Sequence, residues 1–245
     1  MRIDVYLAEN GLVASRTEAK RFIDEGAVFV NGKPINKASY DVDGSENITV
    51  DKSVKEFVSR GGVKLKGALM EFGVSAGGKL CLDIGASSGG FTDCLLQSGA
   101  EHVIAVDSGS GQLAESLRRD KRVTVFENYN ARYMKREDFE YTPELAVMDV
   151  SFISATYIIP SVYDVLCDGG EFVCLIKPQF EVGRAGLGKG GIVKDSKARD
   201  LAVKKVLDYA VSVGFTVKGT VQSSIKGGDG HIEFLAHFVK VKGVL

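Results

Sequence analysis

The spacing of hydrophobic positions changes near residue 60 of the chain. Before it, apolar residues recur at helical spacing in two short segments and then alternate at Val28 and Val30, ahead of an Asn-Gly-Lys-Pro turn. Later, short apolar runs alternate with longer helical patterns, which is typical of a mostly parallel sheet with helices on both faces. We therefore predict a small α+β domain at residues 1–55, a linker at 56–62 and an α/β domain at 63–245.

Five apolar runs of the second domain are predicted to be strands, and each is followed by polar or glycine-rich residues. These runs span residues 79–84, 102–107, 123–128, 145–150 and 171–178. Ligands of such sheets bind at the carboxyl ends of the strands, so ionisable side chains at these ends are expected to face one crevice. Those side chains are Asp83, Asp107, Asp149 and Lys177.

Composition narrows the class of protein without identifying a partner. The 245 residues carry a net charge of −1, so binding to a charged partner has to come from local patches. The four cysteines form no C-x-x-C pair, which indicates reduced core thiols rather than a zinc site or disulfides. No apolar stretch approaches the roughly 18 residues of a membrane span, and the N-terminus carries acids where a signal peptide is hydrophobic. We expect a cytoplasmic protein that uses no metal and no membrane.

A glycine-rich loop follows the first predicted strand, in the stretch CLDIGASSGGF. Gly85 allows a sharp turn, while Gly89 and Gly90 allow a helix to begin close to the strand. The G-x-x-x-G-G spacing lacks the second close glycine of the motif that holds a dinucleotide pyrophosphate. Asp83, ahead of the glycines, suits an ammonium group, and Asp107, at the end of the next strand, suits two ribose hydroxyls.

An ammonium group and a ribose without a phosphate describe S-adenosylmethionine, which we predict as the cofactor. The alternative is a structural glycine turn in an α/β protein that binds no nucleotide. Asn130 lies where the adenine edge of such a cofactor is expected, although asparagine also forms turns. The predicted cofactor-binding residues are Asp83, Gly85, Ser87, Ser88, Gly89, Gly90, Phe91, Asp107, Asn130 and Asp149.

The N-terminal segment carries two motifs, R-x-D-x-x-L and S-R-x-x-A-x-x-F-I-x-x-G-x-V-x-V-N-G. It resembles the small RNA-binding domain named after a small-subunit ribosomal protein, which is also attached to pseudouridine synthases and some tRNA synthetases. The resemblance implies RNA binding, with Arg16, Lys20 and Arg21 as a basic edge for phosphates. Composition alone favours solvated charges as the explanation of these three residues, whereas the whole motif favours phosphate binding.

A second basic segment, at residues 181–195, is rich in glycine. We predict that it is a substrate-side loop that contacts phosphates, with a plain connector as the alternative. The linker between the domains is a candidate hinge. The predicted RNA-binding residues are Arg2, Arg16, Lys20, Arg21, Arg60, Arg184 and Lys189.

Four ionisable residues stand in segments that otherwise favour burial. They are Lys64 in the first turn of a helix, Asp149 and Lys177 at strand ends, and Glu233 in an apolar strand. A structural salt bridge explains any one of them, but four directed at one crevice indicate chemistry. In chain order they match the Lys-Asp-Lys-Glu tetrad of the FtsJ-like ribose 2′-O-methyltransferases, which this chain resembles.

Together with the segments SRGGVKL, DIGASSGGF, DVSFIS, KPQFE and GKGGIV, the tetrad makes the whole chain similar to the TlyA family, also known as haemolysin A. The resemblance implies a Rossmann-like class I methyltransferase with a seven-stranded sheet, joined to the N-terminal RNA-binding domain. It also implies 2′-O-methylation of cytidine in 16S or 23S ribosomal RNA, or both, in ribosomal subunits.

In that chemistry, a neutral Lys177 takes the proton of the attacking ribose hydroxyl. Lys64 is then a neighbouring cation, while Asp149 and Glu233 orient the two lysines and hold the hydroxyl. Three alternatives stay open from the sequence. They are a ribosome-assembly factor that binds RNA and the cofactor but is inactive, a membrane-lytic haemolysin, and a small-molecule methyltransferase.

Overall fold

The computed structural model describes residues 1–24, 26–52, 57–183 and 186–241. The chain divides into two compact units, Met1–Arg60 and Gly61–Leu245. Each unit has its own elements and its own hydrophobic core.

The first unit combines two helices with a small antiparallel sheet. The helices are α1 (Ile3–Glu9) and α2 (Arg16–Asp24), and the strands are β1 (Val28–Val30), β2 (Lys33–Pro34) and β3 (Ile48–Val50), in the sheet order β2-β1-β3. The start of α2 is capped, because the Glu18 N–H donates to Ser15 Oγ at 3.1 Å. Asn31 and Gly32, both at positive φ, form the predicted turn between β1 and β2.

The core of the first unit lies between the helices and the sheet. It is built from the apolar stripe of each helix and the inward side of β1, which is why a unit of this size can exclude water at its centre. The buried residues include Ile3, Leu7, Ala19, Phe22, Ile23, Val28 and Val30.

The second unit is built on a seven-stranded sheet in the order β6-β5-β4-β7-β8-β10-β9. Its strands are β4 (Leu80–Ile84), β5 (His102–Val106), β6 (Val123–Phe126), β7 (Leu145–Met148), β8 (Glu171–Ile176), β9 (Phe215–Gln222) and β10 (Phe234–Lys240). Strands β4 to β8 are parallel to one another, and β10 runs antiparallel to both β8 and β9. The predicted mostly parallel α/β fold with seven strands is confirmed.

Five helices flank this sheet: α3 (Gly61–Phe72), α4 (Gly90–Gln97), α5 (Glu115–Arg118), α6 (Ile159–Val165) and α7 (Ser196–Val213). Strands β4, β5, β7 and β8 are buried almost throughout, and their near-continuous apolar sequences are typical of parallel strands covered by helices. The main core cluster joins these strands to α6 and α7. The four cysteines are free thiols, and three of them are buried.

Replacing Phe238 with alanine should lower the free energy of unfolding by about 3–5 kcal/mol, the usual cost of deleting a buried aromatic ring. The Phe238 side chain is fully buried, and its ring centroid lies 5.6 Å from that of Phe172 on the adjacent strand. Urea unfolding followed by circular dichroism measures the change. Val211→Ala, at an exposed position of α7, is the control and should change stability by less than about 0.5 kcal/mol. Equal stabilities of the two variants would contradict this packing.

Candidate functional site

A cleft of about 390 Å³ opens at the carboxyl ends of β4, β5 and β7. This volume lies within the range of roughly 300–1,000 Å³ that small-molecule sites occupy. From β4, the sheet is extended on one side by β5 and β6 and on the other side by β7 and β8. The cleft lies at this change of direction, which is the usual ligand position in an open α/β sheet. Its lining includes Gly85, Ser87, Asp107, Ser108, Gln112, Tyr129, Asn130, Ala131, Asp149, Ser151, Phe152, Ile153 and Ile158.

The glycine-rich loop brings backbone close to its neighbours at two positions. Gly85 has φ +81°, and a Cβ at this position would overlap the backbone carbonyl oxygen of Asp149. Gly89 has φ +97° at the start of α4, and a Cβ there would overlap the side chains of Leu113 and Leu117. Both positions therefore require glycine for steric reasons. Only Gly85 of the two lines the cleft.

Asp107 presents a carboxylate at the cleft in a fixed orientation. Its Oδ2 accepts a hydrogen bond from the Ser87 N–H at 2.7 Å, and its Oδ1 accepts one from the Gly109 N–H at 2.7 Å. Each carboxylate oxygen has a further lone pair that can accept a hydroxyl hydrogen. The geometry therefore suits a ligand that offers two neighbouring hydroxyls, as a ribose does.

Asp83 is placed differently from a residue in direct contact with a ligand. Its side chain is fully buried, it does not line the cleft, and its Oδ2 accepts a hydrogen bond from Thr92 Oγ1 at 2.6 Å. Burial raises the pKa of Asp83 to about 7, with the hydrogen bond from Thr92 opposing and nearby Asp149 reinforcing the shift. Asp83 Oδ1 has no hydrogen-bond partner among the described residues. An orphaned acceptor of this kind fits a cationic ligand group, and the predicted contact stays a prediction.

The remaining predicted cofactor residues divide between the cleft and the protein interior. Asn130 lines the cleft and also caps the 3₁₀ turn Ala131–Tyr133 by accepting a hydrogen bond from the Arg132 N–H at 3.1 Å, so its two proposed roles are compatible. Four predicted residues do not line the cleft: Ser88, Gly89, Gly90 and Phe91. Sequence reasoning missed several that do, among them Gln112, Tyr129, Ser151, Phe152 and Ile153.

The structure brings the four tetrad residues together as two ion pairs. Lys177 Nζ lies 2.5 Å from Asp149 Oδ1, and Lys64 Nζ lies 2.6 Å from Glu233 Oε2. Lys177 and Asp149 follow the adjacent parallel strands β8 and β7. Glu233 directly precedes Phe234, which pairs with Ile176, so Glu233 and Lys177 leave neighbouring strands at the same edge. Each lysine therefore contacts a carboxylate in this structure.

Both ion pairs are largely withdrawn from water. The side chains of Lys64 and Glu233 are 10% and 3% exposed, and those of Lys177 and Asp149 are 12% and 21% exposed. Removing charges from water costs free energy that a single ion pair often fails to recover, so such pairs are weak evidence for stability. Lys177 also donates a hydrogen bond to Ser151 Oγ at 2.7 Å. The contact between Lys177 and Asp149 is an ion pair by distance, and Asp149 Oδ1 has no hydrogen-bond partner among the described residues.

The loop after β7 exposes a large aromatic side chain beside the cleft. Phe152 is 92% exposed, has φ +65° and packs its ring 5.3 Å from that of Phe180, measured between centroids. A bulky residue at positive φ is uncommon and indicates a constraint from its surroundings. Glu181 is buried and holds the backbone that follows, because it accepts hydrogen bonds from Ser154 Oγ at 2.6 Å and from the Ala155 N–H at 2.8 Å.

In the first unit, two predicted RNA-binding arginines share a buried carboxylate. Arg2 Nε and Arg16 Nη2 each lie 2.9 Å from an oxygen of Asp4. Burial alone raises the pKa of Asp4, but the hydrogen bonds and charges of the two arginines outweigh it and lower the pKa below its usual value. Both arginines stay more than half exposed, and Lys20 and Arg21 are exposed on α2. These four side chains remain accessible to a phosphate backbone.

The structure gives less information about RNA binding by the other three predicted residues, Arg60, Lys189 and Arg184. Arg60 is half-buried, and its Nη1 donates a hydrogen bond to the carbonyl oxygen of Gly26 at 3.1 Å. Lys189 begins the 3₁₀ turn Lys189–Gly191. Arg184 lies outside the described residues.

Within the described ranges, histidine, cysteine and carboxylate side chains form no group of three or more suited to a metal ion. None of the helices in the described part of the chain has both the length and the apolar character needed to cross a bilayer.

Family comparisons agree with both units. The S4 domain family matches residues 1–48, and the FtsJ-like methyltransferase family matches residues 57–240. The chain belongs to the FtsJ-like methyltransferases. The predicted family resemblance and the N-terminal RNA-binding module are thereby confirmed.

Full-length relatives refine this assignment. The 16S/23S rRNA (cytidine-2′-O)-methyltransferase TlyA of Mycobacterium tuberculosis is 41% identical over 95% of this chain and 87% of its own. Hemolysin A of Brachyspira hyodysenteriae is 43% identical over 98% of this chain and all of its own. A solved structure from Streptococcus thermophilus that carries the hemolysin name is 44% identical, with a TM-score of 0.79, and covers 99% of this chain and 89% of that one. The chain is thus a member of the TlyA and hemolysin A group.

Asp83→Asn should remove a pH-dependent loss of stability that the wild-type protein shows between about pH 4 and 7. Because the pKa of about 7 in the folded protein exceeds the ordinary aspartate pKa of 3.8, the folded state binds the proton more tightly. The stabilising effect of this proton is complete below about pH 4 and is lost as the pH rises through about 7.

Thermal unfolding at pH 5 and pH 8 checks this expectation. The melting temperature of Asp83→Asn relative to wild type should be higher at pH 8 than at pH 5. The asparagine side chain can still accept the hydrogen bond from Thr92, so the substitution preserves that contact. An identical difference between variant and wild type at both pH values would contradict a raised pKa at Asp83.

Proposed function

We propose that this protein transfers a methyl group from S-adenosylmethionine to the ribose 2′-hydroxyl of a cytidine in 16S or 23S ribosomal RNA, or both, within ribosomal subunits. The observation that carries the proposal is the Lys177–Asp149 pair, which places a lysine nitrogen and an acid next to the ligand cleft. Membership of the FtsJ-like family and the name of the TlyA relative support the same reaction.

The residues around the cleft fit the proposed cofactor. Asp107, held by two backbone amides, suits the two ribose hydroxyls, and Asn130 stands at the position expected for the adenine edge. The unpartnered oxygen of Asp83 suits the ammonium group through a bridging water. Distant solved structures described as S-adenosylmethionine-dependent methyltransferases share the fold, including one from Listeria monocytogenes with a TM-score of 0.53 at 17% identity. When bound, the cofactor supplies a methyl group on a positively charged sulfur.

Lys177 is the residue that we assign to the ribose hydroxyl. Its nitrogen lies against Asp149 and Ser151, and both of these residues line the cleft. Lys177 first releases its own proton to solvent. Its amine then accepts the hydroxyl proton, and Asp149 holds the ammonium that forms. The Lys64–Glu233 pair adds a second cation and carboxylate at this edge of the sheet, where they orient the hydroxyl.

Placement of the two reacting groups contributes more than proton removal. Correct orientation is worth roughly 7–11 kcal/mol, whereas acid–base assistance is worth about 10²–10⁴-fold in rate. For the reaction rate, the contacts that position Lys177 and the loop around Phe152 therefore matter at least as much as which residue accepts the proton. We assign Phe152 to the target nucleobase, because its exposed ring beside the cleft is a surface on which a base can stack.

An inactive RNA-binding assembly factor is the second candidate. The pairing of each lysine with a carboxylate favours it, since the four charges are then explained as two structural ion pairs. Binding of S-adenosylmethionine without methyl transfer to any ribosomal particle would support that function and exclude the enzyme.

Lys177→Ala should lower methyl transfer to ribosomal subunits by at least about 10²-fold, the lower range of acid–base assistance. Cofactor affinity should stay close to that of the wild type, because Lys177 does not line the cleft. Transfer of labelled methyl and calorimetric titration of the cofactor measure the two quantities. Lys204→Ala, which removes an exposed lysine of α7, is the matched control and should keep full activity. Transfer by Lys177→Ala at the wild-type rate would exclude lysine-assisted attack.

Phe152→Ala should raise the KM for ribosomal subunits by about fivefold or more, the effect of losing one base-stacking contact. Phe152→Tyr retains an aromatic ring and should keep a KM near that of the wild type. Steady-state methylation with both variants tests the assignment. An unchanged KM and kcat for Phe152→Ala would show that the ring does not contact the substrate.

A further inference from the structure

Three exposed side chains beside the cleft have no part in the mechanism above. They are Arg132, Tyr133 and Tyr157, which we call the Arg-Tyr cluster. Tyr133 is 68% exposed and Tyr157 is 57% exposed. The guanidinium carbon of Arg132 lies 4.7 Å from the ring centroid of Tyr157 and 5.8 Å from that of Tyr133. One cation thus contacts two aromatic rings that are open to solvent.

The Arg-Tyr cluster stands at the rim of the cleft. Asn130 and Ala131, which directly precede Arg132, line the cleft, and so does Ile158, which directly follows Tyr157. A polymer whose reacting unit reaches the cofactor at the mouth of the cleft therefore passes its neighbouring units over or close to the cluster.

The backbone that carries the cluster is held in place on both sides. Tyr133 ends the 3₁₀ turn Ala131–Tyr133, and Tyr157 ends the 3₁₀ turn Ala155–Tyr157, each with a side-chain cap from the preceding Asn130 or Ser154. Ser161 Oγ also donates a hydrogen bond to the carbonyl oxygen of Arg132 at 2.7 Å. Because the turns are fixed before binding, a ligand on the rings loses little free energy to ordering the protein.

The charge of the cluster favours an anionic partner. No carboxylate of the described residues forms an ion pair with Arg132, so its charge is balanced only by solvent and by the two rings. A nucleotide strand offers a partner for each part of this surface. Its bases can stack on the two rings, and a phosphate can pair with the guanidinium. Stacking of this kind accepts any base, because every base has an aromatic face.

We propose that the Arg-Tyr cluster binds unpaired nucleotides adjacent to the methylated one, with bases stacked on Tyr133 and Tyr157 and a phosphate on Arg132. The inference rests on the proposed function, because it requires an RNA whose target nucleotide meets the cofactor at the mouth of the cleft. It adds a requirement that the target lie in a single-stranded or locally opened segment, since paired nucleotides cannot present free bases to the rings.

Tryptophan substitution provides a local test, because the chain contains no tryptophan. Tyr133→Trp and Tyr157→Trp each place a single fluorophore in the cluster. Titration with an unstructured oligocytidylate of about 12 nucleotides, within the span of known single-strand sites, should quench both. Tyr209→Trp, on α7 and away from the cleft lining, is the control and should keep its emission. Equal behaviour of all three variants would overturn the proposal.

Affinity and kinetics give the second measurement. Tyr133→Leu and Tyr157→Leu should each weaken oligocytidylate binding by about fivefold or more, whereas Tyr133→Phe and Tyr157→Phe should bind as the wild type does. On ribosomal subunits, the leucine variants should raise KM and leave kcat unchanged. If subunit binding weakens while oligocytidylate quenches neither tryptophan, the cluster contacts ribosomal protein rather than RNA, and the proposal is wrong.

The two proposals fail in distinguishable ways. Quenching by oligocytidylate together with no methylation by the wild-type protein would support the cluster and refute the proposed reaction. Methylation that is equally efficient in the wild type and the leucine variants would support the reaction and refute the cluster.

Discussion

The ion pair between Lys177 and Asp149 joins the carboxyl ends of β8 and β7. Asp149 lines the cleft, and Lys177 lies directly behind it. Asp149 takes part in three contacts at once. Its side chain pairs with Lys177, its N–H donates to the Ile84 carbonyl oxygen at 2.9 Å, and its own carbonyl oxygen packs against Gly85. The same residue thus connects the cofactor loop with the proposed proton acceptor. A change at Asp149 affects both parts of the site.

Stability alone does not account for two ion pairs at this edge. Well-packed apolar residues of similar volume are often as stable as a buried ion pair or more so. The pairs also hold polar groups next to a cleft, where bound ligand would further exclude water and strengthen their electrostatic effects. We therefore interpret them as a cost in stability that the proposed chemistry requires. In the loop beyond Asp149, Phe152 has an uncommon backbone conformation, and the buried Glu181 accepts hydrogen bonds from Ser154 and Ala155.

Much of the fold could be predicted because short stretches of sequence determine where its strands and helices begin and end. Apolar runs separated by glycines predicted the parallel strands, and Ser15 with Glu18 indicated the start of α2. The tetrad was visible only as a match in chain order to a family, since nothing local pairs Lys64 with Glu233 across 169 residues. The cleft residues Gln112, Tyr129, Ser151, Phe152 and Ile153 were missed because loops carry no periodicity. The burial of Asp83 against Thr92 was also missed, since strand alternation does not reveal what a helix will place beside it.

The most direct test is transfer of labelled methyl to purified 30S and 50S subunits, 70S ribosomes and naked ribosomal RNA, followed by alkaline hydrolysis. A 2′-O-methyl group removes the hydroxyl that attacks the neighbouring phosphate. The account therefore predicts label in alkali-resistant dinucleotides from the wild-type protein, with none from Lys177→Ala. Label in mononucleotides would indicate base methylation and contradict the account, as would no label on any particle from protein that binds the cofactor.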